Sequence, residues 1–435
     1  MEYERILSDY DYAELRIERS IESFARIKDD EVKHSAGTSH GMSVRVLQDG
    51  SWGFASSSRE ADVEDLLKRA EKLSRLGKGK VELELPRPEK KRVTEPAEIV
   101  SSGEKVERLA EAAKSMKAKG IVSRMVSCTD CVVTKEFYSS LGAEITQEAA
   151  YTYLYCTSIA KSPETMQRGT ERSWSKKGFR KLDIDSTAEN SREKALRLLK
   201  ASAPPKGRFS AVLDPEMTGV FSHEALGHAC EADSVVDRES LLGGKLGQQI
   251  GNELVGIVDD PTAWDFGHYV YDDEGVKAGK TVLVEKGVLK TFLNSMETAK
   301  ALGQKLNGHA RAESYGEVPV VRMSNTYFQP GDSSLDDVFD IRKGIYLKGM
   351  KGGSVDIFSG GFMFKAEEAY EIKDGEKGKL MRDVSISGNI LQTMKDVECV
   401  GKDFGTSPGI CGKFSQEVPV SDGGPHIRVK NITVG

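Results

Sequence analysis

Long apolar runs are what this 435-residue sequence most clearly lacks. No stretch approaches the roughly 20 apolar residues that a membrane-spanning helix needs. The amino terminus, MEYERILSDYDYAELRIERS, interleaves charge with apolar residues and cannot serve as a secretory h-region. These absences predict a cytoplasmic protein that does not engage a membrane. Cysteine is scarce too: Cys128, Cys131, Cys156, Cys230, Cys399 and Cys411 are too few for a disulfide scaffold, which leaves thiols for packing or metal binding. Excess basic charge is also missing. With 62 Lys+Arg against 68 Asp+Glu the net charge is -6, so nothing drives the whole chain toward nucleic acid. Disorder is excluded by 38% hydrophobic residues, which suffice to bury a core. The length exceeds what one core usually serves, so two domains are expected.

The pattern along the chain predicts an α+β protein. Tyr12 to Glu22 and Met42 to Leu47 largely alternate apolar and polar residues, as half-buried strands do, and Asp49-Gly50 marks a hairpin turn. Ala61 to Leu76 has helical spacing, and Glu84 to Pro96, with three prolines among charges, reads as a linker or extended crossing. A second helix is expected from Gly103 to Lys119, capped by Ser101 or Ser102. Strand-like runs follow at Val122–Phe137, Glu144–Ile159 and Thr165–Trp174, an antiparallel meander, and then a helix from Ala188 to Ala203. Composition changes after Pro204-Pro205, where glycine becomes dense. This predicts an N-terminal α/β-type domain with antiparallel strands over 1–205 and a β-rich C-terminal domain over 206–435.

Chemistry concentrates in the stretch from Leu213 to Asp233. Asp214 suits an N-cap and Pro215 the first helical position, so a helix is expected to begin there, buried nearly all round. Within it stands His223-Glu224-x-x-x-His228, a pattern that chance would supply roughly 0.02 times in a chain of this composition. Two core histidines satisfied by hydrogen bonds are the plain alternative. On a regular α-helix residues five apart diverge by ~140°, too far for one metal ion. A shared ion therefore requires a π-type turn or a break near Gly227.

A catalytic zinc takes three protein ligands and leaves one position open. Cys411, between glycines in Gly409-Ile410-Cys411-Gly412, is the best candidate for the third. Cys399 has a less distinctive context, and Cys230 follows the histidines too closely to reach easily. Glu231 or Asp233 can orient a ligand from behind. Cys128 and Cys131 lie three apart in a strand pattern, on opposite faces, and read as packing residues. His34 and His40 flank a Gly/Ser/Thr loop without metal spacing.

His223 to Asp233 (HEALGHACEAD) resembles the metal-binding helix of the TldD subgroup of the TldD/PmbA family, formerly described as modulators of DNA gyrase. Tyr271–Gly275, Ala310–Tyr315, Arg322–Tyr327 and Gly409–Lys413 through Val418–Val420 are similar to that family's carboxy-terminal half, in order. The resemblance implies a zinc metallopeptidase with His223, His228 and Cys411 as ligands and Glu224 as general base. It implies unfolded or small peptides as substrate, and a dimer with an inactive PmbA/TldE-type paralogue or with a second copy. Tyr315, His309, Arg311 and His426 are candidates to hold the oxyanion. A non-enzymatic regulator with a structural metal site is the competing expectation.

Overall fold

A computed structural model describes residues 2–59, 62–95 and 98–435. Ala61, the expected start of the first long helix, and Pro96, the expected end of the crossing, lie outside the described residues. The chain is a mixed α+β protein rich in strands.

The first half builds one seven-stranded sheet. Its elements are α1 (Glu2–Leu7), β1 (Tyr12–Lys28), β2 (Glu31–Gln48), β3 (Ser51–Ser57), α2 (Val63–Ser74), β4 (Lys90–Thr94), α3 (Ser102–Ser115), β5 (Ile121–Ser139), β6 (Glu144–Lys161), β7 (Met166–Ser175) and α4 (Ile184–Leu198). The order is β3-β2-β1-β5-β6-β4, and β7 pairs with the far end of β6. The antiparallel meander of β5, β6 and β7 is present as expected.

Several elements differ from expectation for local reasons. β2 is far longer than Met42–Leu47, because its first ten residues pair with β1 while remaining almost wholly exposed. A solvated ribbon arm has no apolar alternation to betray it. His34 and His40 therefore lie in a strand, opposite Ala25 and Arg19, and not beside a loop. Part of the proline-rich crossing, Lys90–Thr94, pairs in parallel with β6. The third helix ends at Ser115, short of Lys119, with Ser101 as its cap, accepting from the Glu104 amide at 3.2 Å. The fourth starts at Ile184, where Asp183 caps it four residues before the expected Ala188.

From Gly207 onward the chain forms separate sheets. The strand β8 (Gly207–Leu213) runs between Ile427–Val434 and Lys343–Asp356 and delivers the chain to α5 (Pro215–Val220). The other large sheet ends in the hairpin Gly405–Lys413 and Gln416–Gly424, with Gly405–Lys413 at its edge. The largest hydrophobic cluster, including Met217, Phe221, Leu226, Cys411 and Val418, fills the space between helix and sheets.

Gly219 sets how closely α5 approaches that hairpin. A Cβ there would sit 2.4 Å from the backbone nitrogen of Gly423 and 2.7 Å from its Cα. Backbone cannot swing aside as a side-chain tip can. Gly219→Ala is therefore expected to destabilise the protein by about 1–3 kcal/mol, the usual cost of overpacking, read as a lowered midpoint of thermal unfolding. An unchanged midpoint would show that the contact is loose.

Candidate metal centre

The helix entering the site starts as its sequence dictates. Asp214 accepts from the Met217 amide at 2.9 Å, and Pro215 occupies the first turn, where its missing N–H costs nothing. After Val220 the backbone widens into a π-helix over Phe221–Gly227 and then tightens into a 3₁₀ turn over His228–Cys230. Of the two distortions the histidine spacing allowed, the π turn is the one found. The His228 amide donates to the His223 carbonyl, a bond spanning five residues that stacks one histidine over the other. The two rings end 5.1 Å apart between centroids and perpendicular. Gly227 makes room for Met323, whose Sδ occupies the place a Cβ would take.

The thiol arrives from the edge hairpin. Cys411 lies opposite Val418 in that ladder, and its carbonyl accepts from the wholly buried Arg322 guanidinium, which also reaches the Gln416 carbonyl at 3.3 Å. Cys411 Sγ is 3.6 Å from His228 Nε2. One donor atom from each of His223, His228 and Cys411 lies within 4.8 Å of the others, the one such grouping of three or more metal-type side chains among the described residues. Nδ1 of His223 is buried without a hydrogen-bond partner. Glu224 follows His223 on the same π turn and is half-buried.

Charge around these groups is organised in layers. Nδ1 of His228 lies 3.0 Å from Glu231 Oε2, which fixes the ring and aims Nε2 at Cys411. Glu231 in turn accepts from Lys413 at 3.0 Å, and Lys413 also donates to Asp233 at 2.8 Å and to the Val321 carbonyl at 3.1 Å. Burial pushes the Cys411 thiol up, but the adjacent His223 and His228 imidazoles outweigh it and bring its pKa down to about 5. Burial disfavours the charged imidazoles, yet both are raised, His223 chiefly by Cys411 and His228 by Glu231 and Cys411. For Glu231, burial is outweighed by His228 and Lys413, and its carboxyl lies below the ordinary value.

That last direction makes a prediction. A carboxyl lowered on folding contributes stability that is present above its unfolded pKa and lost as pH falls through the folded value. The stability gap between the protein and Glu231→Gln is therefore expected to be open at neutral pH and to close below about pH 4 in thermal melts. A gap independent of pH would deny Glu231 its charged role. If the three donors hold a metal ion, the same variant is expected to lower affinity for it by about 10- to 100-fold.

The remaining sequence candidates are engaged elsewhere. Cys399 is buried in a separate cluster with Val212 and Phe339. Cys230 sits in the apolar core and Cys128 in the core of the first half. His309 is wholly buried between Asp259, at 2.9 Å, and Asn307, at 3.0 Å. His426 is held by Asp403 at 2.7 Å and by the Tyr346 hydroxyl at 3.2 Å. Tyr315 packs its ring over Gly41 of β2. Arg311 donates to the Met323 and Pro419 carbonyls and lies over the Tyr269 ring.

One residue escaped sequence reading altogether. Asp422, on the strand that α5 crosses at Gly219, has its Oδ1 buried and unpartnered, and burial pushes its pKa up to about 7, with His223 pulling it down and Glu224 pushing it up. Nothing in Ser421-Asp422-Gly423-Gly424 distinguishes it from a surface turn. Its exposure is decided by α5 packing across the strand, a long-range event.

Two imidazoles and a thiol converging within 4.8 Å of one another on a mixed α+β scaffold form a donor cluster of the kind that can hold a metal ion. Comparison with known proteins agrees. Models of the PmbA/TldA metallopeptidases match residues 13–74 as domain 1, 95–199 as the central domain and 206–435 as the C-terminal domain. The chain belongs to the PmbA/TldD family of metallopeptidases. It is 43% identical to a metalloprotease of Methanothermobacter thermautotrophicus, covering 98% of this chain and 95% of the relative. It is 33% identical to a zinc metalloprotease TldD homolog of Saccharolobus solfataricus, covering 98% and 96%. The fold is shared with a Thermotoga maritima structure at a TM-score of 0.84 and 22% identity, covering 100% and 99% of the two chains. It is shared also with TldE from Thermococcus kodakarensis at 0.79 and 20%, covering 100% and 98%. No described helix is long and apolar enough to cross a membrane.

Proposed function

We propose that the chain is a zinc-dependent peptidase of the TldD type, acting in the cytoplasm on peptide bonds of unfolded proteins or small peptides. The observation that carries this reading is the π turn, which gathers His223 and His228 beside Cys411. The donor set fits zinc. A tetrahedral ion with usual Zn–N and Zn–S lengths separates such donors by ~3.5 Å, close to the 3.6 Å between Cys411 Sγ and His228 Nε2. The Nδ1 of His223 is free of any hydrogen-bond partner, and the lowered thiol of Cys411 favours the thiolate that zinc requires. Three side chains leave a fourth position for reactants, which favours a catalytic over a structural site.

Bound zinc supplies a Lewis acid that polarises a carbonyl and makes water acidic near neutral pH. The residues do the rest. Glu224 takes a proton from water onto a carboxylate oxygen as the water oxygen bonds to the peptide carbon. The C–N bond then breaks, and Glu224 returns the proton to the departing amine. Glu231 and Lys413 keep His228 oriented throughout. In this reading residues 206–435 form the catalytic domain, the expected single N-terminal domain over 1–205 divides into the matched domain 1 and central domain, and the active unit is a dimer with an inactive PmbA/TldE-type paralogue or a second copy.

The experiment is incubation of the zinc-loaded protein, alone and with a silent homologue, with casein, products being identified by mass spectrometry. Internal fragments that vanish on chelation are expected. Stoichiometric zinc without cleavage in either mixture would overturn the reading.

A further inference from the structure

Between the first sheet and the C-terminal half lies a cavity of about 440 Å³. One wall is the face made by alternate residues of three neighbouring strands, such as Glu18 and Glu22 of β1, Cys131 and Lys135 of β5, and Tyr151 and Tyr153 of β6. The other includes Phe266, Tyr269, Ile410 and Val418. Its apolar floor is aromatic: Tyr151 and Tyr153 both pack on Phe266, with ring centroids 5.7 Å apart.

Charge in this cavity is strongly one-sided. Eight carboxylates line it against two cations, Lys135 and Arg311. Both cations are already committed, Lys135 to Asp273 at 2.8 Å and Arg311 to two backbone carbonyls. Glu18, Glu22, Glu148 and Glu417 form no ion pair with any described side chain, although Glu18 is only half-exposed. Glu95 is paired with Lys176, whose ammonium also lies over the Tyr151 ring, but the remaining excess of carboxylates over cations raises the local concentration of a positive ligand and disfavours a negative one.

The cavity adjoins the metal centre along the hairpin that carries Cys411. Ile410 directly precedes Cys411, and Val418 is the cross-strand partner of Cys411.

We propose that this cleft selects the substrate, accepting unstructured peptides in which an aromatic or large aliphatic side chain lies next to a basic group, and disfavouring acidic ones. The inference rests on the peptidase reading for its consequence, yet binding tests it independently of cleavage. The cavity size lies in the range that small ligands fill, enough for a side chain and its neighbour.

The test uses short fluorescent peptides identical except for a central Phe-Lys, Phe-Glu, Ala-Lys or Ala-Glu pair. Affinity for the full-length, zinc-loaded Glu224→Gln protein is read by anisotropy, and cleavage is read separately with the unmodified protein. Phe-Lys is expected to bind about tenfold or more tighter than Phe-Glu, and Phe-Lys tighter than Ala-Lys by about five- to tenfold. In a Glu18→Gln/Glu417→Gln double variant the Lys-over-Glu preference is expected to shrink to within about threefold, while Phe-over-Ala persists. Should that variant fold poorly, salt gives the same information. Raising it from about 50 to about 500 mM should erode the Lys preference of the Glu224→Gln protein and spare the Phe preference. Equal affinities, a preference for Glu, or a Lys preference insensitive both to salt and to the double variant would overturn the proposal. Selective binding with no cleavage of any peptide would instead sink the peptidase reading and leave the cleft standing. Cleavage of all four peptides at equal rates and affinities would do the reverse.

Discussion

Glu224→Gln is expected to lower peptide hydrolysis by about 100- to 10,000-fold while leaving zinc content and fold intact, because the amide keeps the shape of the side chain and loses its ability to take a proton. Glu224 lies half-buried one residue after His223 on the same π turn, which places it next to the proposed ligand in the chain. It is not itself one of the three converging donors. The loss should therefore appear in kcat, with peptide binding retained. Full activity in the variant would transfer the proton-accepting role elsewhere, with Asp422, whose Oδ1 is buried and unpartnered, as the next residue to replace.

Cys411→Ser is expected to reduce zinc affinity by more than the ~100-fold that loss of an outer hydrogen-bond partner can cause, with activity falling in proportion. The two imidazoles bring the Cys411 thiol down to about 5, which favours the thiolate at neutral pH. A serine hydroxyl at the same place stays protonated and binds zinc poorly. The fold should survive, since a hydroxyl is small enough for the site and finds imidazole partners there. Elemental analysis after dialysis against a weak chelator, beside circular dichroism, reads both outcomes. Retention of one zinc per chain would mean that the third ligand is not Cys411. Cys399 and His309 could not readily take over, being buried in a separate cluster and bonded to Asp259 respectively.

The gathering of His223 and His228 with Cys411 was legible in the chain because the histidine signal is local. A five-residue histidine spacing cannot serve one ion on a regular helix, so the spacing itself demanded a distortion, and the π turn is the form it takes. Asp214 and Pro215 announced the helix start for equally local reasons. Glu231 behind His228 was anticipated as well, as one of two candidates, and Asp233 turns out to act one step further out, on Lys413. What stayed hidden depends on distant packing. Asp422 is half-buried with its Oδ1 sealed off, on the strand whose backbone Gly219 of α5 approaches closely. Arg322 could not be told from a surface cation until the hairpin carbonyls closed over it. In the fold, the amphipathic strands and helices were readable, whereas the polar arm of β2 and the parallel pairing of β4 were not, since neither buries an apolar face.

X-ray absorption at the zinc edge on the metal-loaded protein tests the centre of the proposal most directly. Two nitrogen neighbours at about 2.0–2.1 Å, one sulfur at about 2.3 Å and one further light atom exchangeable with solvent are expected, the sulfur disappearing in whatever zinc Cys411→Ser retains. A spectrum without sulfur, or one with four protein ligands closing the ion off, would contradict a reactive centre built from His223, His228 and Cys411.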